Sequence, residues 1–388
     1  MFTENINFKN FKIINKTLKI KQKFISILNN KNPVITSLSE EYKDSYSKKF
    51  VNKYKNLSNF RVIGMGGSTL GTQAIYDFLN NKIKKNFIFI DNLQANVKKN
   101  VHRNLTNLII SKSGNTIETI ANANINIKKK DKNIFLTENK NNELYILAKK
   151  LKSEIIHHNN FIGGRYSVLS EVGMLPAELM GLDAKKFRKF NSLIKNKNFV
   201  NSLLLNVSST ISLIKKKKFN SVIINYDERS ENLFKWYQQL VAESLGKKNK
   251  GLLPIVSNMP KDNHSVMQLY LDGFKNNFFT FFYVHEKNSQ KINNKNLSKN
   301  QKFLKNKNLS NIIYAQKNAT EKIFNKKNIP FRSFEIKKRN ENTLGELFCF
   351  FILETILLGN LLNVNPYDQP SVELIKKETN KFLLNSYK

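Results

Sequence analysis

A loop rich in hydroxyl groups at residues 111–116 has side chains suited to binding an anion. Its sequence, Ser-Lys-Ser-Gly-Asn-Thr, ends a predicted buried strand at 107–111 and opens a predicted helix at 117–127. Hydroxyls around the free N–H groups of a helix N-terminus suit a phosphate monoester, whose oxygens need several donors. The loop lacks the Gly-Lys-Ser/Thr ending of P-loops, which disfavours a nucleotide triphosphate. Two interpretations stay open from these residues alone, a phosphate site or hydroxyls that only cap the helix.

A glycine-rich turn at 64–71, Gly-Met-Gly-Gly-Ser-Thr-Leu-Gly, lies between a predicted strand at 60–64 and a predicted helix at 69–79. Glycines let the backbone approach a ligand closely, and the start of a helix favours an anion. A dinucleotide site is one interpretation, with Asp91 as the acidic residue at the end of the next strand. The Gly-x-Gly-x-x-Gly spacing fails, however, because Thr69 occupies its third position. A tight turn with no ligand is the alternative.

Two further motifs contain groups that can bind charge or move a proton. Paired glycines at 163–164 precede Arg165, and an arginine in a lysine-dominated chain indicates a fixed cation, although a surface salt bridge is the alternative. Gln239 and Glu243 lie four residues apart, on one face of a predicted helix. A simple ion pair between Glu243 and Lys247 is the alternative there.

Two more candidates lie at helix starts. His264, in Asp-Asn-His-Ser at 262–265, is one of five histidines and is placed where an imidazole can act as an acid or base. Taken alone, the motif favours a capping or packing role. Lys376 follows Gln369 by seven residues, where the loop Asn-Pro-Tyr-Asp-Gln-Pro enters the last predicted helix.

The elements that must position these residues alternate between strands and helices, which predicts parallel sheets covered by helices on both faces. In the first half, strands are predicted at 60–64, 86–91, 107–111 and 133–137, and helices at 69–79 and 117–127. In the second half, strands are predicted at 221–226 and 278–284, and helices at 230–245, 343–362 and 372–385. The predicted fold class is α/β, with two three-layer α/β/α domains and a C-terminal helix.

The predicted domain organisation has four parts. They are an N-terminal helical lead-in at 1–45, a first α/β domain at 46–190, a second at 191–370 and a C-terminal helix at 371–388. The Lys-, Asn- and Ser-rich segment 287–311 predicts an exposed insertion in the second domain.

The charge of the chain first suggests a nucleic-acid partner. The 388 residues have 65 Lys and Arg against 29 Asp and Glu, a formal net charge of +36. Only seven of the basic residues are Arg, whereas nucleic-acid readers exploit its planar guanidinium. Because Lys and Asn are spread along the whole chain, the charge indicates a compositional background, and we expect no nucleic-acid partner.

Hydrophobic residues make up 40% of the chain, too many for a disordered protein. The single cysteine, Cys349, excludes an intramolecular disulfide and favours a reducing compartment. The first 33 residues lack the continuous apolar core of a signal peptide. The apolar run 347–362 contains Glu354 and Asn360, which predicts a buried helix rather than a membrane span. We therefore expect a cytoplasmic protein with no membrane partner.

Taken together, these motifs resemble the glucose-6-phosphate isomerase family. The segments that carry the resemblance occur in the family's order and rough spacing between about residues 60 and 378: GMGGSTLG, SKSGNTIET, GGRYSVLSEVGMLP, QQLVAESLGK, NHSVMQLYLDG and NPYDQPSVELIKKET. The resemblance implies two sugar-isomerase (SIS) domains, which agrees with the pattern of strands and helices. The chain is short for the family, and Gly114 and Asn115 replace bulkier or hydroxyl residues often found in the phosphate loop.

The resemblance also implies roles for single residues. Glu243 matches the general base that moves a proton between C1 and C2 of the open-chain sugar, through a cis-enediol(ate). Arg165 matches the arginine that stabilises the negative charge of that intermediate. His264 matches the histidine that helps to open the pyranose ring, and Lys376 the lysine that assists at the ring oxygen. The implied substrate-binding residues are Gly67, Ser68, Ser111, Lys112, Ser113, Thr116, Gln239 and Gln369.

The implied activity is the reversible conversion of glucose 6-phosphate to fructose 6-phosphate, with no metal and no cofactor. The family's counterpart of His264 reaches the neighbouring subunit's site, so a homodimer is implied. Two alternatives stay open, an isomerase that also accepts mannose 6-phosphate and a non-catalytic sensor of sugar phosphates. The sensor is disfavoured because it would need the phosphate loop alone.

Overall fold

The computed structural model describes residues 2–12, 18–30, 32–95 and 105–385, and every structural statement below refers to them. The strands are β1 (Ile6–Lys9), β2 (Asn59–Gly64), β3 (Asn86–Ile90), β4 (Thr106–Ile110), β5 (Lys132–Thr137), β6 (Glu154–His157), β7 (Asn220–Asn225), β8 (Leu253–Asn258), β9 (Asn277–Val284) and β10 (Phe331–Ile336). The α-helices are α1 (Leu18–Asn29), α2 (Pro33–Ser37), α3 (Lys48–Lys53), α4 (Leu70–Phe78), α5 (Ile117–Asn126), α6 (Glu143–Lys150), α7 (Glu171–Leu179), α8 (Ala184–Phe187), α9 (Phe190–Lys195), α10 (Lys197–Lys215), α11 (Glu231–Leu245), α12 (Met267–Asp272), α13 (Leu309–Lys326), α14 (Glu341–Leu361) and α15 (Pro370–Asn385).

The first sheet has the strand order β3-β2-β4-β5-β6, and all of its pairings are parallel. Its central strand β4, Thr-Asn-Leu-Ile-Ile, is buried along its whole length, as expected for a strand covered by helices on both faces. Because β2 and β4 are neighbours, the glycine-rich turn and the hydroxyl loop both emerge at the same edge of the sheet. The predicted α/β class is confirmed.

The second sheet has the order β1-β10-β9-β7-β8. Four of its strands are parallel, and β1 pairs with β10 in the antiparallel direction. The prediction of a helical lead-in is therefore wrong at 6–9. This short segment pairs as a strand with the free edge of β10. The centres of the Phe8 and Phe334 rings are 4.5 Å apart. Four residues are too few for their own periodicity to indicate a strand. The predicted domain limits stay predictions.

The strand β10 was missed because polar residues interrupt its apolar run. Arg332 and Ser333 are both buried, and each finds polar partners inside the fold. The Arg332 guanidinium donates to Thr280 Oγ1 at 2.9 Å and forms an ion pair with Glu354 of α14. Ser333 Oγ donates to Glu321 at 2.6 Å. A strand with satisfied polar groups can be buried, but its sequence resembles a loop.

Helix α14 is a long apolar helix that is buried almost throughout. It is the described helix that is long and apolar enough to cross a membrane, yet nearly all of its residues are buried inside the fold. Its faces contact α8, α10 and α11. The prediction of a buried helix at 347–362 is confirmed. The segment 287–311 is exposed or half-buried throughout, as predicted for an insertion.

The histidine directly after β6, His158, is buried inside the fold. The His158 side chain is 1% exposed, and its Nδ1 lies 2.9 Å from the carbonyl oxygen of Asn159. Glu171 Oε1 lies 3.8 Å from Nδ1, but this carboxylate already accepts from Asn159 N and from the Tyr42 hydroxyl. Burial lowers the pKa of His158 from 6.5 to about 4. The folded protein therefore holds this imidazole neutral at pH values where an unfolded chain protonates it.

We expect the free energy of unfolding to fall between pH 6.5 and pH 4 because of His158. Above pH 6.5 the imidazole is neutral in both states and contributes no pH dependence. Below it the unfolded state binds a proton that the folded state excludes, which costs about 2 kcal/mol near pH 4.5. Urea unfolding at pH 7.5 and 4.5 measures this loss, which the His158→Gln variant should lack. The matched control is His157→Gln, because His157 is the exposed neighbour. Equal acid sensitivity of both variants contradicts the prediction.

Candidate active site

One cleft with a volume of about 540 Å³ contains most of the predicted site residues. It lies where the loops at the carboxyl ends of β2 and β4 face α11 and the start of α15. Eleven of the twelve predicted residues line it: Gly67, Ser68, Ser111, Lys112, Ser113, Thr116, Arg165, Gln239, Glu243, Gln369 and Lys376. The carboxyl edge of a parallel sheet is the usual position of a ligand site in such folds.

The hydroxyl groups of the 111–116 loop do not cap α5. Thr116 is the N-cap residue, and its side chain makes no capping hydrogen bond. Its Oγ1 instead lies 2.9 Å from Ser111 Oγ, while Ser113 Oγ accepts from Asn115 N at 3.3 Å. The first bond inside the helix runs from Ile120 N to Thr116 O at 3.0 Å. The N–H groups of the first turn therefore face the loop without intrahelical acceptors, the arrangement that binds an anion.

Gly114 is required by the shape of this loop. Its φ is +66°, and a Cβ there would lie 1.8 Å from Asn142 Oδ1. Asn142 cannot yield, because it caps α6 by accepting from Tyr145 N at 3.0 Å and donates to Thr137 Oγ1 at 3.0 Å. A larger residue at position 114 would therefore not fit without movement of this turn.

The glycine-rich turn packs directly against the loop that carries Arg165. A Cβ on Gly67 would lie 2.2 Å from the carbonyl carbon of Gly164 and 2.5 Å from Arg165 N. A second close approach occurs at Gly66, where a Cβ would lie 2.8 Å from Gln239 Nε2. Asp91, the acidic residue of the dinucleotide interpretation, accepts a hydrogen bond from Gln73 Nε2 at 2.8 Å. The turn therefore positions neighbouring site residues as well as lining the cleft.

Arg165 is fixed by hydrogen bonds on every nitrogen of its guanidinium. The side chain is 1% exposed, and Nη1 lies 3.2 Å from Glu243 Oε2. Its other donors are accepted by Ser244 Oγ (2.8 Å), the carbonyls of Pro366 (2.8 Å) and Asp368 (3.0 Å), and Gln369 Oε1. Such a cation cannot rotate away, so its positive charge points at a fixed place in the cleft.

Glu243 is oriented by two donors and remains open to the cleft. Its Oε1 accepts from Gln239 Nε2 at 2.9 Å, its Oε2 accepts from Arg165, and the side chain is 28% exposed. The opposite amide atom, Gln239 Oε1, is buried and has no partner among the described residues. A substrate hydroxyl that donates to this oxygen would satisfy it.

The simple ion pair between Glu243 and Lys247 does not form. Lys247 Nζ instead lies 2.9 Å from Asp368 Oδ1, and it donates to the carbonyls of Ser244 (3.1 Å) and Asn365. Lys247 and Arg165 therefore both tie the segment that carries Gln369 to the end of α11. The carboxylate of Glu243 therefore pairs with Arg165 and faces the cleft.

The remaining cations of the cleft each have a carboxylate nearby. Lys112 Nζ lies 3.4 Å from Glu138 Oε1, and Lys376 Nζ lies 2.6 Å from Glu373 Oε1. Lys376 is half-exposed, on the first turns of α15. Because these cations already have carboxylates near them, the neutral hydroxyl and N–H donors of the 111–116 loop are the groups best placed to bind a dianion.

His264 is the predicted residue that the structure does not bring to the cleft. It is exposed at the end of a short helix, Lys261–His264, that follows the edge strand β8. It does not line the cleft of its own chain. Its expected action in the site of a neighbouring subunit stays a prediction.

Four lining residues with polar side chains were missed by the sequence analysis, namely Glu138, Tyr367, Asp368 and Glu373. Three of them lie in the motif at 365–378 that had been singled out, so each was a candidate on its position alone. Glu138 directly follows β5, at the carboxyl edge of the sheet, but no motif marks it. It lies in the cleft beside Lys112 of the neighbouring loop, whose Nζ is 3.4 Å from its Oε1.

Comparisons with known proteins agree on one family. The family model described as phosphoglucose isomerase matches residues 28–386. The glucose-6-phosphate isomerase of Methanocaldococcus jannaschii is 34% identical over 354 residues, which cover 84% of this chain and 85% of that protein. That of Campylobacter jejuni is 30% identical over 361 residues, covering 88% of each chain.

Solved structures share the fold. A hypothetical protein of Thermus thermophilus superposes with a TM-score of 0.81 at 23% identity, covering 95% of this chain and 94% of that one. A glucose-6-phosphate isomerase from Chlamydia trachomatis superposes with a TM-score of 0.75 at 15% identity, covering 100% and 90%. The match of the family model over most of the chain, together with these relatives, leads to one conclusion: the chain belongs to the phosphoglucose isomerase family.

Proposed function

We propose that this protein interconverts glucose 6-phosphate and fructose 6-phosphate, the activity named for its relatives. The observation that carries the proposal is the Glu243 carboxylate, held between Gln239 and the buried Arg165 and open to a cleft with a hydroxyl-rich loop. A base, a fixed cation and a phosphate cradle are the three parts that an aldose–ketose isomerisation needs. The reaction moves protons within one substrate, so it requires no cofactor.

The phosphate of the substrate binds at the 111–116 loop. The hydroxyls of Ser111, Ser113 and Thr116 and the first N–H groups of α5 supply donors, while Lys112 adds a positive charge beside them. These contacts are remote from the reacting carbons. Their binding energy therefore anchors the sugar chain and orients C1 and C2 toward Glu243.

Glu243 is the general base. Its carboxylate takes the proton from C2 of the open-chain glucose 6-phosphate and returns it to C1 of the cis-enediol(ate) intermediate. The hydroxyl proton on O2 passes to O1, so the product has a hydroxyl at C1 and a carbonyl at C2. Negative charge develops on the substrate oxygen, and the preorganised guanidinium of Arg165 stabilises it without reorganisation. Gln239 orients the carboxylate, and its buried Oε1 accepts from a substrate hydroxyl. Gln369, whose Oε1 accepts from the same Arg165 Nη1 as Glu243, also contacts the sugar.

Ring opening precedes the proton transfer. Lys376 lines the cleft and assists at the ring oxygen, and His264 of a neighbouring subunit provides the second group. The exposure of His264 outside its own cleft supports this arrangement, which requires a homodimer. We further propose that the enzyme works in the cytoplasm, with no nucleic-acid or membrane partner.

A coupled assay with glucose 6-phosphate and mannose 6-phosphate side by side tests the proposal. We expect turnover of glucose 6-phosphate to fructose 6-phosphate by the purified full-length chain. Turnover of both sugars identifies the dual-specificity isomerase instead. Binding of either sugar phosphate with no turnover identifies a sensor and contradicts the proposal.

The Ser113→Ala variant should raise KM and leave kcat nearly unchanged. It removes a hydroxyl from the phosphate cradle, and a hydrogen bond to a charged group contributes about 1.5–3 kcal/mol. The expected rise in KM is about ten- to a hundredfold. Ser192→Ala is the matched control, since Ser192 is an exposed serine on α9. An unchanged KM would show that this loop does not bind the phosphate.

A further inference from the structure

A second groove lies at the amino-terminal edge of the second sheet, where β7, β9 and β10 begin. It consists of two adjoining cavities of about 270 and 490 Å³, which share Lys218 and the segment 328–330. It has no lining residue in common with the cleft described above. Six lysines line it, Lys9, Lys12, Lys216, Lys218, Lys275 and Lys327, and we call it the basal groove.

Most of these lysines have no counter-charge. In the part of the chain that the structure describes, no carboxylate lies within 4 Å of Lys12, Lys216, Lys218 or Lys275. The single acidic residue among the described lining residues, Asp272, is 2.5 Å from Lys327 Nζ and is therefore occupied. The basal groove thus concentrates positive charge that the protein itself does not neutralise.

This arrangement differs from the lysine background of the chain. Two lysines that are enclosed elsewhere each have a carboxylate partner: Lys317 with Glu321 (2.9 Å) and Lys247 with Asp368 (2.9 Å). Burying an ammonium without such a partner is costly.

Lys218 is partly buried in the wall of the basal groove, and its Nζ donates to the carbonyl of Lys275. Burial lowers the pKa of Lys218, and the neighbouring charges of Lys275 and Lys216 lower it further. Lys85 is likewise partly buried with a lowered pKa, but it lies over the Phe60 ring, 5.5 Å from its centre, whereas Lys218 faces an open groove. A bound anion would relieve this repulsion.

The shape of the basal groove indicates what kind of anion fits. Lys9, Lys12 and Lys216 line one cavity, and Lys275 and Lys327 line the other. The shared segment, Asn328, Ile329 and Pro330, lines both cavities, so we place it between the two groups of lysines. A single phosphate can neutralise one group only. A ligand with two or more phosphate groups can reach both.

We propose that the basal groove binds a small molecule that carries two or more phosphate groups. Lysine recognises phosphate as a point charge, which suits mobile oligophosphates. A nucleic acid is disfavoured, because no arginine is present among the described lining residues to read bases or phosphates with a planar fork.

Isothermal titration with inorganic tripolyphosphate tests the proposal. Saturating fructose 6-phosphate is included so that the catalytic cleft is occupied. We expect one tripolyphosphate to bind per chain, and inorganic monophosphate to bind at least tenfold more weakly. No binding of tripolyphosphate under these conditions overturns the proposal.

Two charge-matched triple variants locate the site. The first replaces Lys216, Lys218 and Lys275 by Gln, and the second replaces Lys295, Lys299 and Lys302 of the exposed insertion by Gln. Both change the formal net charge from +36 to +33. We expect the first to weaken tripolyphosphate binding at least tenfold and the second less than twofold, with kcat and KM unchanged in both. If the first triple variant fails to fold, the single variants Lys216→Gln and Lys275→Gln replace it, because both side chains are exposed.

Two further outcomes, both obtained with these variants, overturn the proposal. The first outcome is an equal loss of tripolyphosphate binding in both triple variants. It means that the overall positive charge of the chain, and not the basal groove, attracts the anion. The second outcome is that a single-stranded oligonucleotide binds more tightly than tripolyphosphate and that the first triple variant loses this binding. That result means that the groove is a nucleic-acid surface.

Discussion

Replacing Glu243 by Gln should remove nearly all turnover while sugar-phosphate binding persists. The amide is nearly isosteric with the carboxylate, so the cradle at 111–116 and the buried Arg165 keep their positions. It cannot accept the C2 proton, and general base catalysis of this kind contributes typically 10²–10⁴ in rate. We expect kcat to fall at least a thousandfold and the dissociation constant for fructose 6-phosphate to change less than fivefold.

Two measurements separate this result from a general loss of structure. Exchange of the substrate C2 proton with deuterated solvent should stop together with turnover, because both require the same base. Glu231→Gln is the matched control, because Glu231 lies on the same helix and its ion pair with Lys235 is exposed. A Glu243→Gln variant that retains a tenth of the wild-type kcat would exclude Glu243 as the base.

Replacing Arg165 by Lys should lower both kcat and stability. The guanidinium donates to two side chains and two carbonyls besides its pair with Glu243, whereas an ammonium has three donors and no planar fork. At least one buried acceptor is then left without a donor, which costs about 1–3 kcal/mol in the free energy of unfolding. Loss of the preorganised charge should reduce kcat by about 10²–10³.

The structural and chemical parts of this effect can be told apart. Urea unfolding measures the stability loss, and kcat is measured at a temperature where the variant is fully folded. The segment 365–369 should also become a site of proteolytic cleavage, because Arg165 ties Pro366, Asp368 and Gln369 to the cleft. Arg229→Lys is the control, since Arg229 is an exposed arginine outside the cleft. A kcat within threefold of the wild type would contradict the assignment of Arg165.

The predictions that succeeded depend on patterns within one stretch of chain. The apolar runs at 60–64 and 107–111 form the parallel strands β2 and β4, and the run at 347–362 lies in the buried helix α14. In each case consecutive apolar residues dominate the segment, with only isolated polar positions such as Arg61 and Glu354, and this pattern indicates burial. The loops between them could be placed at one sheet edge because parallel strands share their direction.

The predictions that failed involve partners distant in sequence. Strand β1 exists because β10, more than 300 residues away, offers an edge for pairing. Arg332 is compatible with a buried strand because Glu354 of α14 meets it inside the core. Secondary-structure propensity and hydrophobic periodicity depend on neighbours along the chain. They therefore carry no information about where such distant partners lie.

The sequence by itself determined the residue types of the site and the order of the elements that carry them. Its spacing placed Gln239 and Glu243 on one helical turn and the hydroxyls of 111–116 at a helix start. The tertiary structure alone decided between the alternatives that this spacing left open. Lys247 pairs with Asp368 and not with Glu243, and the Thr116 hydroxyl meets Ser111 instead of capping α5. The physical reason is competition, since a local ion pair or cap forms only where no long-range partner binds the same group more favourably.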